Sequence, residues 1–153
     1  MAKKSIKTTP TSTQVELQNP GMTQVTSFAV LFIINTIVLY FANSWYPMNV
    51  VLGTFSISPM WSLLLSAGSL AIVNTLSIPF FHEWELRRNR PLTSAEWMAG
   101  YLVINFVTIW LITRASEVFG MGVTSWGVVL SLAVVLDIIQ GIGMMKLEAM
   151  RKK

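Results

Sequence analysis

The sequence predicts an all-α membrane protein whose four transmembrane helices form two tandem helical hairpins, and three observations carry that prediction. Residues 27–46, 60–81, 97–115 and 125–145 are apolar runs of 19 to 22 residues. At about 1.5 Å per residue each is long enough to cross a hydrocarbon core of roughly 30 Å. Of the 153 residues, 53% are hydrophobic and only 12% are charged, which leaves too little polar surface to cover a soluble domain. Ten of the eleven Lys and Arg residues fall at one set of span ends.

In chain order, residues 1–26 form a leader rich in Thr, Ser and Gln without apolar periodicity, and they are expected to be a disordered, polar, cytoplasmic segment. A cleaved signal peptide is not expected, because the leader is long and the first apolar run is of spanning length. Backbone groups in lipid must be satisfied within their own segment, so runs of this length without strand alternation read as helices. Pro79 falls near the end of the second span, where a missing N–H is least costly. The middle connection, "HEWELRRNRPLTSAE", is strongly charged, and residues 146–153 form a basic tail. The two remaining loops contain the Gly-bearing extended segments "VLGTFSIS" and "VFGMGVTS".

Orientation follows from the cations. Lys3, Lys4 and Lys7 precede the first span, Arg87, Arg88 and Arg90 occupy the middle loop, and Lys146, Arg151, Lys152 and Lys153 follow the last span. Arg114 is the exception. Both termini and the middle loop are therefore expected in the cytoplasm, with the protein multi-pass in the bacterial inner (cytoplasmic) membrane. Trp45, Trp61, Trp84, Trp97 and Trp126 lie at span ends, where amphipathic rings anchor at the interface.

The chain also reads as an internal repeat. "FIINTIVLYF" (32–41) aligns with "LVINFVTIWL" (102–111), setting Asn35 on Asn105, and "WSLLLS" (61–66) aligns with "WGVVLS" (126–131). Two hairpins of two spans each share one orientation, which calls for an axis along the membrane normal.

The same residues carry a family resemblance. "VLGTFSISPMWSLLLSAGSLAIVNTLSIP" and "GYLVINFVTIWLITRASEVFGMGVTSWGVVLSLAVVL" resemble the small bacterial four-span proteins of the phage holin-like family, mycobacterial type, across residues 28–145. The matching features are Val73, Asn74 and Pro79 toward the end of span two, Val103-Ile104-Asn105 in span three, and the Gly-containing outer loops. The charged middle loop, the polar leader and Asp137 depart from the pattern. The resemblance implies a four-helix bundle that self-associates and acts on membrane permeability.

Five polar residues lie inside the spans. Counted from the expected inner face, Asn35, Asn74, Asn105, Asp137 and Gln140 fall at similar depths, about 9 to 13 Å in. They are expected to form one intramembrane polar layer, with Asp137 and Gln140 on the same helix face. A carboxylate costs roughly 2.5 to 3.5 kcal/mol at the centre of a spanning helix, so Asp137 needs either a partner or a task. Small residues mark close helix packing. Ser62, Ser66, Ala67 and Ala71 on span two and Gly127 and Ser131 on span four predict that these two spans meet at the centre, although the same faces also suit association between copies.

Other chemistry is thinly represented. The sequence has no Cys and one His, His82, flanked by Glu83 and Glu85 at a span end, where an interfacial role is expected rather than catalysis or metal binding. Gly141 and Gly143 lack the strand–turn–helix setting of a phosphate loop, and no nucleophile–base–orienter set is visible. The expectation is a non-enzyme with no cofactor and no metal. Its partners are expected to be the lipid bilayer and either further copies, as a homo-oligomer, or another membrane protein, with no role for nucleic acid. The leading functional reading is a self-associating, holin-like protein; an accessory subunit of a membrane complex, or less strongly a small ion or proton transporter, are the alternatives.

Overall fold

The structure is a computed structural model that describes residues 20–151. The polar leader expected over 1–26 therefore lies largely outside the described residues, and so do Lys152 and Lys153. In chain order the elements are α1 (Pro20–Trp45), β1 (Val50–Leu52), α2 (Pro59–Arg88), α3 (Ser94–Arg114), α4 (Ser116–Phe119), β2 (Met121–Val123) and α5 (Trp126–Arg151). Among the described residues four helices, α1, α2, α3 and α5, are long and apolar enough to cross a membrane. The protein is a multi-pass membrane protein.

Helix boundaries differ from the sequence expectation in three places. α1 starts at Pro20, inside the segment expected to be disordered; proline suits a first helical turn because its absent N–H has no intrahelical partner there. α2 does not stop near Pro79 but continues to Arg88. Its end is set by Asn89, which adopts the left-handed conformation (φ 52°) and donates its backbone N–H to Leu86 O. α5 likewise runs past residue 145 to Arg151. At the other ends capping is local and strong: Ser58 accepts from Trp61 N ahead of Pro59, and Thr93 and Glu96 form a reciprocal capping box at the start of α3, which satisfies donors that the first turn leaves open.

The two Gly-containing loops fold as a pair. β1 and β2 are antiparallel, with Val50 opposite Val123, Val51 opposite Gly122 and Leu52 opposite Met121. Gly53 (φ 98°) and Gly120 (φ 73°) turn the chain at the strand ends, and Gly53 N donates to Gly120 O at 2.8 Å. At Gly120 both backbone and space demand glycine, since a β-carbon would stand 2.7 Å from Ser62 Cβ. This pairing ties the two hairpins at one end of the bundle; the charged turn between α2 and α3 lies at the other.

The four long helices close into a ring. α1 packs on α2, α2 on α3, α3 on α5 and α5 on α1, which leaves α2 and α5 diagonally opposed. The central pairing expected for spans two and four is thus corrected: each meets a helix of the other hairpin from the side. Every long helix has one neighbour from its own hairpin and one from the other.

The interior is built from Leu39, Leu70, Ile109, Val129 and Leu136, with Ala67 and Ala133 where backbones approach. Outward positions are equally apolar, among them Ile33, Ile37, Val107, Val135 and Ile138. A bilayer is as apolar as leucine, so hydrophobicity does not select the inward face; packing of small residues and polar bonding do.

Candidate functional site: an intramembrane amide network

Each long helix contributes one amide side chain to the centre of the ring, and all four residues are buried. Gln140 is the hub. Its Oε1 accepts from Asn105 Nδ2 at 2.9 Å and from Asn74 Nδ2 at 3.3 Å, while its Nε2 donates to Asn35 Oδ1 at 2.7 Å. Asn74 Nδ2 also donates to Asn105 Oδ1 at 2.9 Å, and Asn35 Nδ2 reaches Ala67 O on α2 at 3.4 Å. One side chain of α5 thereby touches the other three helices. A primary amide can do this because it donates and accepts at once, and glutamine's extra methylene gives the reach that asparagine lacks.

Local sequence places these groups. On α1, Ser27, Leu31, Asn35, Val38 and Leu39 are buried, and on α3, Asn105, Thr108, Ile109 and Ile112. Both sets repeat at the three- and four-residue steps of one helix face. On α2 the buried set is Ser62, Leu63, Ser66, Ala67, Leu70, Ala71, Asn74, Thr75 and Phe81; on α5 it includes Val129, Leu132, Ala133, Leu136, Asp137, Gln140 and Leu147. Four of the five residues expected in a polar layer are joined by hydrogen bonds.

Asp137 is the correction. It is enclosed, at 7% exposure, one helical turn from Gln140 on the side of the strands, yet among the described residues it has no hydrogen bond and no ion pair. A carboxylate only accepts, and the amide donors that reach the centre are directed to Gln140, Asn105, Asn35 and Ala67 O.

The packing residues divide. Ser62, Ser66, Ala67 and Ala71 are all buried, as a close-packed face requires. Gly127 is half-exposed and Ser131 exposed, so their assignment to the interior is corrected. Ser131 Oγ instead donates to Gly127 O at 2.9 Å along its own helix. The cause is a shift of one residue. Buried faces match when Leu63, Ser66, Ala67, Leu70 and Asn74 are set against Val129, Leu132, Ala133, Leu136 and Gln140, whereas the shared Trp-x-x-x-x-Ser pattern sets Ser66 against Ser131. One residue is 100° of helix rotation, enough to turn Ser131 outward.

Sequence reading also missed the order at the charged end. Glu96 receives Arg90 Nη2 at 2.7 Å and Arg88 Nη1 at 3.2 Å, and Arg87 pairs with Glu83. Glu85 accepts from Leu92 N at 2.8 Å. The arginines expected as plain orientation charges also staple the α2–α3 turn. Phe81, Trp97 and Tyr101 form an aromatic cluster beside this turn, with the His82 ring edge-on to Trp97.

Comparison with known proteins adds no relative: no family model matches the chain, and no curated protein or solved structure does.

Proposed function

We propose that this is a small, self-associating integral membrane protein of holin-like type, seated in the bacterial inner membrane with both termini cytoplasmic, whose assembly alters membrane permeability or envelope state. The observation that carries the reading is the outward turn of the small-residue pair on α5. Gly127 and Ser131 stand on the lipid-facing side with Val135, Ile138 and Ile142 below them, the surface on which a second helix can approach closely. The single ring is closed at its centre by four hydrogen-bonded amides, so a permeation path belongs between copies rather than through one. Orientation rests on the ten Lys and Arg residues that cluster at one set of span ends. The resemblance to the phage holin-like family supports the reading through its short motifs alone.

The two hairpins fit a duplicated unit. Asn35 corresponds to Asn105 and Asn74 to Gln140, so the bond from Asn74 to Asn105 has its counterpart in the bond from Gln140 to Asn35. The strand register is its own mirror under the same exchange, since Val50 faces Val123 and Leu52 faces Met121 around Val51 and Gly122.

The test is reconstitution of the full chain in dye-loaded vesicles, with the oligomeric state measured by light scattering in detergent. Oligomers and dye leakage that both fall in a Gly127→Leu, Ser131→Leu double variant are the expected result. A monomer that leaves vesicles tight overturns the proposal and favours an accessory subunit.

A further inference from the structure

We infer that the strand-capped end of the bundle is a lipid-binding surface: residues 46–58 and 115–125 lie sunk among the phospholipid headgroups of the adjacent leaflet and do not stand in water. This holds whichever face of the membrane carries the cap, and it does not depend on self-association.

The tips of the cap are apolar. Met48, Phe55 and Val118 project from it at 83%, 110% and 64% exposure, with Tyr46 and Val51 exposed beside them. Residues 46–58 contain no charged side chain and residues 115–125 contain only Glu117, whereas the connection at the other end, residues 82–96, holds three Arg and three Glu. Exposed apolar tips without charge are costly in water, and the headgroup zone is where amphipathic rings and short apolar side chains are accommodated.

These groups surround the bundle. Trp45 closes α1, Trp61 opens α2, Val118 follows α3 and Trp126 opens α5, and all four are exposed. They also continue the lipid-facing side of the spans, as on α1, where the rings of Phe41 and Trp45 meet at 5.1 Å. A docked protein covers one side of a bundle. A bilayer meets every corner alike, which selects lipid as the occupant.

Helix length sets the depth. Glu83 on α2, Glu96 on α3 and Lys146 on α5 mark the charged end. About 20 residues of helix, roughly the 30 Å of a hydrocarbon core, lead from them to Leu63, Ser116 and Trp126. The core therefore ends where the cap begins. The headgroup zone beyond it is roughly 5 to 7 Å deep on each side, room for two strands of three residues and their turns.

The polar groups of the cap suit that seat, because many are bonded within it. Gly53 N donates to Gly120 O at 2.8 Å, Thr54 N to Ile57 O at 2.9 Å and Thr124 N to Asn49 O at 3.2 Å. Asn43 Nδ2 reaches up from α1 to Val50 O at 2.8 Å. Backbone near lipid needs such internal partners, since water is scarce there.

The chain has no Cys, so single cysteines can be introduced at Met48, Phe55, Val118 and, as the aqueous control, Asn89, and labelled with nitrobenzoxadiazole. The full-length protein is placed in phosphatidylcholine vesicles. Probes at 48, 55 and 118 should emit further to the blue than the probe at 89, be quenched by phosphatidylcholine with a headgroup nitroxide, and be several-fold less open to iodide. Iodide quenching as strong as at position 89 overturns the seat. Shielding that appears only at a high protein-to-lipid ratio also overturns it, because the cover is then another copy. A measurement on the wild-type chain needs no variant. Hydrogen peroxide, which passes both leaflets, should oxidise Met48 several-fold more slowly than Met150 in vesicles, although Met48 is the more exposed of the two in the isolated fold; equal rates place the cap in water.

Discussion

α2 and α5 occupy corresponding places in the two hairpins and begin with the same Trp-x-x-x-x-Ser pattern, yet they use it in opposite ways. In α2 the pattern points inward: Ser62 and Ser66 are fully buried, where Gly120 of the other hairpin's loop passes within a β-carbon's reach of Ser62. In α5 Ser131 points out of the bundle and its place in the interior is taken by Leu132. In a bilayer a small-residue motif thus marks a surface capable of close approach without saying whether the partner is the same chain or another. What set the facing of α5 was Gln140, the one side chain able to bond the other three helices together, and the rest of the helix follows from its position.

Gln140→Leu removes three hydrogen bonds at once and leaves Asn35 Oδ1 and Asn105 Nδ2 without their partner. It is expected to lower stability by about 2 to 3 kcal/mol, because several buried groups lose partners at once; Asn74→Leu should lose less, since Asn105 and Asn35 remain bonded to Gln140. Equal losses, measured by thermal unfolding in detergent, would mean that α5 is not the helix that organises the ring.

Next is Ser66→Leu, which forces a large side chain into the closed face of α2 and should cost about 1 to 3 kcal/mol. The sign reverses at the pair Ala71 and Asp137. Asp137→Ala gives α5 the residue that α2 carries, and stability should rise by part of the roughly 2.5 kcal/mol that a carboxylate costs at a helix centre. A clear loss instead would make Asp137 a structural member of the polar layer. The smallest effect belongs to Ser131→Leu, within about 0.5 kcal/mol for the isolated chain; a loss like that of Ser66→Leu would show that the outward assignment of α5 is wrong.

Much of the candidate site was legible in the sequence. Asn35, Asn74, Asn105 and Gln140 stand out because polar residues are rare in spans, and counting rise per residue sets them at one depth. Their bonding pattern was less accessible. Asp137 drew attention as the charged residue of the last span, but the hydrogen-bonding centre lies one turn away, where an amide can both give and receive. The charged turn was also underread: Glu96 looked like one more loop charge, and beyond its local capping box with Thr93 its bond to Arg88 arises only when the end of α2 and the start of α3 are brought side by side.

By itself the sequence determined that four helices cross a membrane as two hairpins, and at what depth their polar groups lie, because span length, charge placement and residue rise are properties of a chain read in one dimension. Tertiary structure alone decided that α2 and α5 sit diagonally, that β1 and β2 join the hairpins, and that Ser131 faces outward while Leu132 does not. The reason is the solvent. In water an apolar stripe names the buried face of a helix, whereas in a bilayer inward and outward positions are equally apolar, and only the mutual fit of small residues and hydrogen-bonding amides fixes which way each helix turns.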